Sequence, residues 1–200
     1  MIAILDYGSG NLGSLGKALD SLGATPVVTD RPAEVAKATA VILPGVAALV
    51  QAKSRMVATG LDQVVLEAVA AGKPVLGICL GLHLLVQWGE EDGGADGLGV
   101  FQGEAVRFPP LGKIPHMGWN QVEANGDVPL LRGIPPGSFF YFVHSYYAKG
   151  AAPEEVAATT DYLLPFPSMM IKGKVCAVQF HPEKSGEVGL QLLRNFLKEI

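Results

Sequence analysis

The sequence has few charged residues, few cysteines and no long hydrophobic run. Charged residues make up 17% of its 200 residues and hydrophobic residues 49%, and only two residues are cysteines. This composition excludes an intrinsically disordered chain, which carries too little apolar surface to form a core. The uncharged stretch Pro74 to Gly89 has only 16 residues and contains glycines, so it is too short for a transmembrane helix. We therefore expect a single globular domain over residues 1–200.

Other absences narrow the class of protein further. The opening segment Met1 to Asp6 lacks the basic region of a signal peptide, so we expect a cytoplasmic protein. The 15 basic and 19 acidic residues are scattered and give a net charge of −4, which does not favour binding to nucleic acid or to a membrane. The cysteines and histidines lack the spacing of zinc ligands, and we expect neither a metal nor a cofactor. A small substrate or a protein partner is the expectation that remains.

Short apolar runs alternate with helical patterns along the chain. The predicted strands are Ile2–Asp6, Pro26–Thr29, Ala40–Leu43, Pro74–Cys79 and Lys174–Phe180. The predicted helices are Leu12–Leu22, Leu61–Ala71, Leu80–Trp88 and a last helix that begins at Ser185. This order predicts an α/β fold with a doubly wound, mostly parallel sheet and helices on both faces. The region from about Leu98 to Tyr147 is broken by proline and glycine and predicts antiparallel additions at the sheet edge.

One glycine-rich segment allows two interpretations. The residues from Gly8 to Gly13 match G-x-G-x-x-G between a predicted strand and a predicted helix, and Asp30 follows about 20 residues later. This pattern is typical of an NAD(P)-binding oxidoreductase, in which the glycines let the backbone approach a pyrophosphate. The pattern is also short and frequent by chance, and no separate substrate domain follows it. The alternative is a turn with a structural or partner-facing role.

A second motif predicts a nucleophile. Gly77-Ile-Cys79-Leu-Gly81 lies between a predicted strand and a predicted helix, which is the arrangement of a nucleophile elbow with cysteine in the serine position. The sharp turn requires small residues two places before and after the nucleophile. The N-terminus of the following helix favours the thiolate, which is the reactive form. The competing interpretation is that Cys79 is a small buried hydrophobic residue.

A base with an orienting carboxylate follows the last predicted strand. In His181-Pro182-Glu183 the extended backbone places the side chains of His181 and Glu183 on the same side, and Pro182 disfavours helix at His181. Cys79 and His181 both follow the carboxyl ends of predicted parallel strands, where such sheets form their active sites. We therefore expect Cys79, His181 and Glu183 to form a catalytic triad, with a solvated turn as the alternative for the last two.

Together these motifs resemble class I glutamine amidotransferases, whose G-x-C-x-G elbow and late H-P-E segment occur here in the same order. The resemblance extends to the glutaminase subunits of imidazole glycerol phosphate synthases over essentially the whole chain. The segments that carry this closer resemblance are Asp6-Tyr-Gly-Ser-Gly-Asn11, Pro44-Gly45-Val46, His116-Met-Gly-Trp-Asn120 and Val143-His-Ser-Tyr146.

The resemblance implies a role for each matching residue. Cys79 would be the nucleophile, His181 the general base and acid, and Glu183 the orienting carboxylate of glutamine hydrolysis. The residues implied in the oxyanion hole and in glutamine binding are Gly45, Val46, Leu80, His83, Glu91, Ser145 and Tyr146. The adjacent Glu90 competes with Glu91 for contact with the glutamine α-amino group. The implied partner is a cyclase with a (β/α)₈ barrel, which would receive ammonia through an interface that includes Asn11, Trp119 and Lys184. The alternative is a glutaminase that serves a different synthase.

Two residues depart from the family pattern. His83 stands four residues after the nucleophile, where the family commonly has glutamine, and it either donates a hydrogen bond to the substrate or fills space. Ala47 stands where the family usually has glycine, so it narrows the backbone conformations open to the Pro44-Gly45-Val46 segment.

Overall fold

The computed structural model describes residues 1–8 and 12–199 of the chain. The strands are β1 (Ile2–Leu5), β2 (Pro26–Thr29), β3 (Ala40–Leu43), β4 (Val75–Ile78), β5 (Trp88–Gly89), β6 (Ala95–Asp96), β7 (Glu104–Arg107), β8 (His116–Gln121), β9 (Glu123–Ala124), β10 (Phe139–His144), β11 (Tyr146–Lys149), β12 (Val156–Tyr162), β13 (Leu164–Lys172) and β14 (Val175–Val178). The α-helices are α1 (Leu12–Ser21), α2 (Pro32–Val35), α3 (Leu49–Thr59), α4 (Leu61–Ala70), α5 (Leu80–Leu85) and α6 (Gly186–Leu197).

The large sheet has the strand order β2-β1-β3-β4-β14-β13-β12-β9. Its first five strands pair in parallel, and β13, β12 and β9 continue it in antiparallel pairing. The predicted mostly parallel α/β sheet with antiparallel edge additions is therefore confirmed. Strands β4 and β14 lie side by side at its centre, so the segments that follow them emerge next to each other.

Alternate residues of the parallel strands face two separate hydrophobic clusters. In β1, Ala3 and Leu5 pack with helices α3, α4 and α5, whereas Ile2 and Ile4 pack on the opposite face with α1 and α6. These strands are buried on both faces, which explains why they read as continuous apolar runs rather than as alternating ones. Helices thus cover both faces of the sheet, as the strand and helix order predicts.

The middle of the chain differs in detail from the prediction. Of the predicted edge region only β9 joins the large sheet. Strands β8 and β10 form a separate antiparallel pair, and β11, β7, β5 and β6 form a further small sheet. The antiparallel edge comes mainly from β12 and β13. Strand β13 contains Pro165 and Pro167, and prolines are unusual inside strands, so the sequence pattern does not indicate a strand there.

Helix α5 ends at Leu85, before the predicted end at Trp88, because the chain turns into β5. Helix α6 begins one residue after Ser185, as expected. In the part of the chain that the structure describes, no helix has the length and apolar character needed to cross a membrane.

Candidate active site

Cys79 lies in a sharp turn between β4 and α5. Its φ of 54° and ψ of −101° fall outside the regions that residues other than glycine usually adopt. The backbone N–H of Cys79 donates to the carbonyl of Val178 at the end of the neighbouring β14 (2.8 Å). Strain of this kind persists only where the surroundings hold it, and it is typical of functional residues.

The glycines on both sides of Cys79 are required by close contacts. A Cβ atom at Gly81 would lie 2.0 Å from the carbonyl oxygen of Leu43, and one at Gly77 would lie 2.8 Å from the Gly81 carbonyl group. Neither contact can be relieved without moving the main chain. The local geometry is therefore that of the predicted nucleophile elbow.

His181 and Glu183 lie beside the elbow in the geometry that the sequence predicts. His181 Nδ1 is 2.8 Å from Glu183 Oε1, and both side chains are buried. Because the carboxylate accepts from Nδ1, the other ring nitrogen, Nε2, is the one left for the thiol side of the site. Nε2 is buried and has no hydrogen-bond partner among the residues that the structure describes.

The protonation of His181 is set by opposing effects. Burial disfavours the imidazolium, but the Cys79 sulfur and the Glu183 carboxylate favour it and raise the pKa of His181 to about 10. The Cys79 side chain is thus near enough to act electrostatically on the ring, even though no ordinary hydrogen bond joins them. A buried thiol and an imidazole of this kind can form a thiolate–imidazolium pair.

Two further groups contact the Cys79 sulfur. The thiol donates to the carbonyl of Val143 (3.8 Å), and Gln179 Nε2 donates to the sulfur (3.8 Å). The same Gln179 side chain, through Oε1, contacts His83 Nε2 at 2.9 Å. Gln179 is fully buried and absent from the sequence-based candidates. Its spacing of two residues from His181 in extended backbone is the signal that could have found it.

The resemblance implies the backbone N–H groups of Leu80 and Val46 as the two donors of the oxyanion hole, and these groups point in different directions. The backbone N–H of Leu80 faces the carbonyl of Gly45 and donates to it at 3.4 Å. Because a trans peptide points its N–H opposite to its carbonyl, the Val46 N–H points away from Leu80. The Tyr7 hydroxyl donates to the Pro44 carbonyl and holds the start of this segment. The two donors do not converge in this conformation.

A pocket of about 470 Å³ opens above Cys79 and has a volume typical of small-molecule sites. It is lined by Val46, Ala47, Cys79, Leu80, His83, Glu91, Pro115, Val143, His144, Ser145, Tyr146 and Lys184. Apart from Gly45, all the residues named above for oxyanion stabilisation and glutamine binding therefore lie at this one pocket. A larger concavity of about 580 Å³, between α4 and β14, is lined by lysines, glycines and apolar residues but by no cysteine, serine, histidine or carboxylate, so it offers no triad of this kind.

Glu90 and Glu91 have different positions. Glu91 lines the pocket and accepts a hydrogen bond from the Leu49 N–H through Oε2 (2.8 Å). Glu90 instead accepts from the backbone N–H of Arg107 and does not line the pocket. Of the two, Glu91 is placed to meet a substrate beside Cys79.

His83 is buried with both ring nitrogens near acceptors. Its contacts are the Gln179 side chain and the backbone of Tyr146, which favour the imidazolium, but burial outweighs them and lowers the pKa of His83. His83 thus has a structural partner as well as a place in the pocket.

Ala47 is half-buried and packs against the hydrophobic cluster under α3.

Of the predicted interface residues, Lys184 lines the pocket, and Trp119 packs its ring against Tyr141. Trp119 is 55% exposed on β8, and Lys184 holds its Nζ over the Tyr141 ring, 5.8 Å from the centroid. Asn11 lies outside the described residues, as do Ser9 and Gly10 in the glycine-rich motif. Of that motif, Gly8 has a φ of 79° and donates its N–H to Asp6 Oδ1 (3.0 Å), which is a local turn contact.

Comparisons with known proteins give the same family. Residues 3–200 match the family Glutamine amidotransferase class-I. The chain is 48% identical over 200 residues to the imidazole glycerol phosphate synthase subunit HisH of Acinetobacter baylyi, covering 98% of this chain and 97% of that protein. It is 50% identical over 195 residues to the HisH subunit of Moorella thermoacetica, with coverage of 98% and 93%.

Solved structures share the fold at lower sequence identity. A glutamine amidotransferase crystal structure superposes with a TM-score of 0.79 at 22% identity, covering 99% of this chain and 97% of that one. PurLQS from Thermotoga maritima gives a TM-score of 0.76 at 17% identity, with coverage of 98% and 97%. With an elbow cysteine, a buried His–Glu pair and a match that spans the chain, this protein belongs to the class I glutamine amidotransferase family.

Proposed function

We propose that the protein hydrolyses glutamine to glutamate and ammonia, with Cys79 as nucleophile, His181 as general acid and base, and Glu183 as the orienting carboxylate. The observation that carries this proposal is the Nδ1 contact of His181 with Glu183, which leaves Nε2 on the side of the strained Cys79. The high pKa of His181 supports an imidazolium at neutral pH beside the Cys79 side chain.

In the first half-reaction the Cys79 thiolate attacks the side-chain amide carbon of glutamine. The C–N bond then breaks while His181 Nε2–H gives its proton to the departing nitrogen, so that ammonia leaves and a thioester remains. In the second half-reaction His181 takes a proton from water, and the hydroxide attacks the thioester carbon. Breaking the C–S bond restores the thiolate and the imidazolium and releases the side-chain carboxylic acid, which loses its proton to solvent to give glutamate.

We infer that the ammonia serves a partner, a cyclase with a (β/α)₈ barrel, as part of imidazole glycerol phosphate synthase in histidine biosynthesis. The cyclase would produce imidazole glycerol phosphate and the purine precursor AICAR, and the two chains would form a heterodimer. The named function of two relatives close to 50% identity supports this assignment. Exposed Trp119 and Met117 on β8 support a protein interface near the site. Ammonia must leave uncharged and shielded from water to remain a nucleophile.

We propose the cytoplasm as the location, because the mechanism needs a reduced Cys79, and reducing conditions maintain such a thiol.

The experiment that tests the function compares glutamine and ammonium salts as nitrogen sources for the purified complex. We expect both to support formation of imidazole glycerol phosphate in the wild type. A wild-type complex that makes the product from ammonium salts but not from glutamine would refute the glutaminase assignment. The oxidoreductase alternative predicts NAD(P) binding; we expect calorimetry to detect none at millimolar cofactor, and a micromolar dissociation constant would overturn our assignment.

A further inference from the structure

A chain of hydrogen bonds connects strand β8 with the backbone of the substrate pocket. Asn120 Nδ2 lies 3.2 Å from His116 Nε2, His116 Nδ1 lies 2.9 Å from His144 Nε2, and His144 Nδ1 lies 2.8 Å from the Tyr146 carbonyl oxygen. Both histidines are buried. Neither has a part in the reaction steps described above.

The direction of this chain is fixed at the Asn120 end. Asn120 Oδ1 accepts from the Gln121 N–H (2.8 Å), and Nδ2 donates to the Asp161 carbonyl (3.0 Å), so two main-chain groups set the orientation of the amide. Nδ2 is therefore also the donor to His116 Nε2. It follows that His116 carries its proton on Nδ1 and donates from there to His144.

The same direction follows from the Tyr146 end. A carbonyl oxygen can only accept, so His144 must carry its proton on Nδ1, and its Nε2 must accept from His116. Both ends thus require the Nδ1–H tautomer of both histidines. Burial lowers the pKa of His116 to about 4 and that of His144 well below its usual range. Both rings are therefore neutral, as the Nδ1–H tautomers require.

Aromatic packing holds the central ring in place. His116 stacks on Tyr162 with 3.9 Å between centroids and on Phe142 with 4.7 Å, both within 24° of parallel. A ring packed in this way cannot swing without disturbing the cluster around it. The hydrogen bonds of His116 therefore link groups whose positions are well defined.

The chain ends on the peptides that border the pocket beside Cys79. The Ser145 carbonyl accepts from the Phe108 N–H (3.0 Å), and the Tyr146 carbonyl accepts from His144. These two bonds fix the peptide planes before and after the Cα atom of Tyr146, and with them the directions of the N–H groups. The orientation of this backbone thus depends on the side chain of His144, together with that of His83, which also hydrogen-bonds to the Tyr146 backbone.

We propose that His116 and His144 are positioning residues that set the Ser145–Tyr146 backbone, which lines the pocket beside Cys79, for binding glutamine. This inference rests on the proposed function, because it concerns the substrate of the same site. Neither histidine is among the groups that hydrogen-bond to the Cys79 sulfur, so we expect their loss to affect substrate affinity more than the chemical steps.

The first test is the steady-state kinetics of His116→Phe with the cyclase partner present. Phenylalanine preserves the stacked ring but breaks both hydrogen bonds of His116. We expect the KM for glutamine to rise about tenfold, the effect of one buried hydrogen bond, while kcat stays within about twofold. His116→Asn, whose amide can reach His144 as Nδ1 does, is expected to restore most of the affinity.

The matched control is Tyr162→Phe. It keeps the ring that stacks on His116 and removes only a hydroxyl that donates to the Lys113 carbonyl, outside the chain of hydrogen bonds. We expect its KM to equal that of the wild type. An equal rise in KM in this variant would assign the effect to general packing and overturn the proposal.

A second measurement needs neither catalysis nor a substitution in the hydrophobic core. Nitrogen NMR of the histidine rings in the wild-type chain should show the Nδ1–H tautomer at both His116 and His144. In Asn120→Asp the carboxylate cannot donate to His116 Nε2, and we expect His116 to change tautomer or gain a proton. Wild-type rings in the Nε2–H tautomer would refute the proposed direction of these hydrogen bonds and the positioning role with it.

The outcomes separate this inference from the proposed function. A wild type that hydrolyses glutamine while His116→Phe keeps its KM refutes only the positioning role. A wild type that shows no glutamine hydrolysis with its partner refutes the proposed function and this inference with it.

Discussion

His181 donates its backbone N–H to the carbonyl oxygen of Tyr141, at 2.9 Å. Two residues further along β10, the carbonyl of Val143 accepts from the Cys79 thiol. On the other edge of β10, Tyr141 pairs with Trp119 of β8, whose side chain is exposed. Cys79 and His181 are therefore both attached to one strand of a two-stranded sheet whose other strand presents an apolar surface. A partner that binds this surface lies one strand away from the chemistry.

The first prediction concerns the two cysteines. Cys79→Ala should abolish glutamine-dependent synthesis while ammonium salts still support the partner, because only the nitrogen source is lost. A glutamine-like electrophile should label Cys79 and spare Cys176, since burial raises the pKa of the Cys176 thiol to about 12.

The control for this experiment is Cys176→Ala, which should retain labelling and glutamine-dependent turnover. Mass spectrometry of the labelled peptides identifies the modified thiol. Label on Cys176 alone, or turnover in Cys79→Ala, would contradict the assignment of the nucleophile.

The second prediction concerns Glu183. In Glu183→Gln the amide oxygen can still accept from His181 Nδ1, so the ring orientation is kept while the negative charge is lost. The charge raises the pKa of His181, and its removal should lower that pKa. The imidazolium then loses its proton at a lower pH, so the alkaline limb of the kcat/KM profile should move toward neutral pH. We also expect kcat/KM to fall by at least about tenfold. Rates measured across pH 6 to 10 check both effects.

Glu187→Gln is the matched control, because Glu187 is an exposed carboxylate in the first turn of α6. The same loss of charge there should leave the pH profile unchanged. An alkaline limb that does not move in Glu183→Gln would argue that the carboxylate only orients the ring.

The elbow and the H-P-E segment were predictable because their constraints are local. A nucleophile turn requires Gly77 and Gly81 in fixed places, and extended backbone places His181 and Glu183 on one side. The parallel strands were predictable because burial on both faces makes them continuous apolar runs.

The contacts that support the site were not predictable, since they depend on which strands lie side by side. His116 and His144 are 28 residues apart in the sequence and meet only through the pairing of β8 with β10. Strands β12 and β13 were missed because prolines and a shift of register near Ala158 obscure the alternation of buried and exposed residues. Local patterns therefore identify the reacting groups but not the groups that position them.

The third prediction tests the elbow through stability. Gly81→Ala places a Cβ atom 2.0 Å from the Leu43 carbonyl and should lower the free energy of unfolding by about 3 kcal/mol or more. Gly16→Ala is the control, because it lies inside α1 and its added Cβ would meet no atom of residues 1–8 or 12–199 within 4 Å apart from the adjoining backbone of its own helix. That variant should gain up to about 1 kcal/mol. Urea unfolding of both variants measures the difference, and equal stabilities would contradict a tightly packed elbow.

The fourth prediction concerns the surface on β8. Trp119→Ala should weaken binding of the cyclase by roughly 30-fold or more, the effect of losing an interface anchor of about 2 kcal/mol. Val57→Ala serves as control, because Val57 is equally exposed but lies on α3, on the opposite face of the large sheet. Calorimetric titration with the cyclase measures both affinities. A Trp119 variant that binds like the wild type would place the interface elsewhere.

The last prediction concerns activation by the partner. The Gly45 carbonyl occupies the Leu80 N–H, so the Val46 N–H is directed away from the position where the oxyanion develops. A rotation of the Gly45–Val46 peptide would release the Leu80 donor and bring in the Val46 donor. One such donor contributes about 3 to 4 kcal/mol in the transition state, or on the order of 10² to 10³ in rate.

If the cyclase and its nucleotide favour the rotated state, the isolated chain should hydrolyse glutamine very slowly. Activation should appear in kcat rather than in KM, because the donor acts on developing charge. Val46→Pro removes this N–H and should lose the activation, whereas Val46→Ala keeps the N–H and should be activated like the wild type. Steady-state kinetics with an isolated chain as fast as the nucleotide-bound complex would refute the coupling and leave the triad chemistry intact.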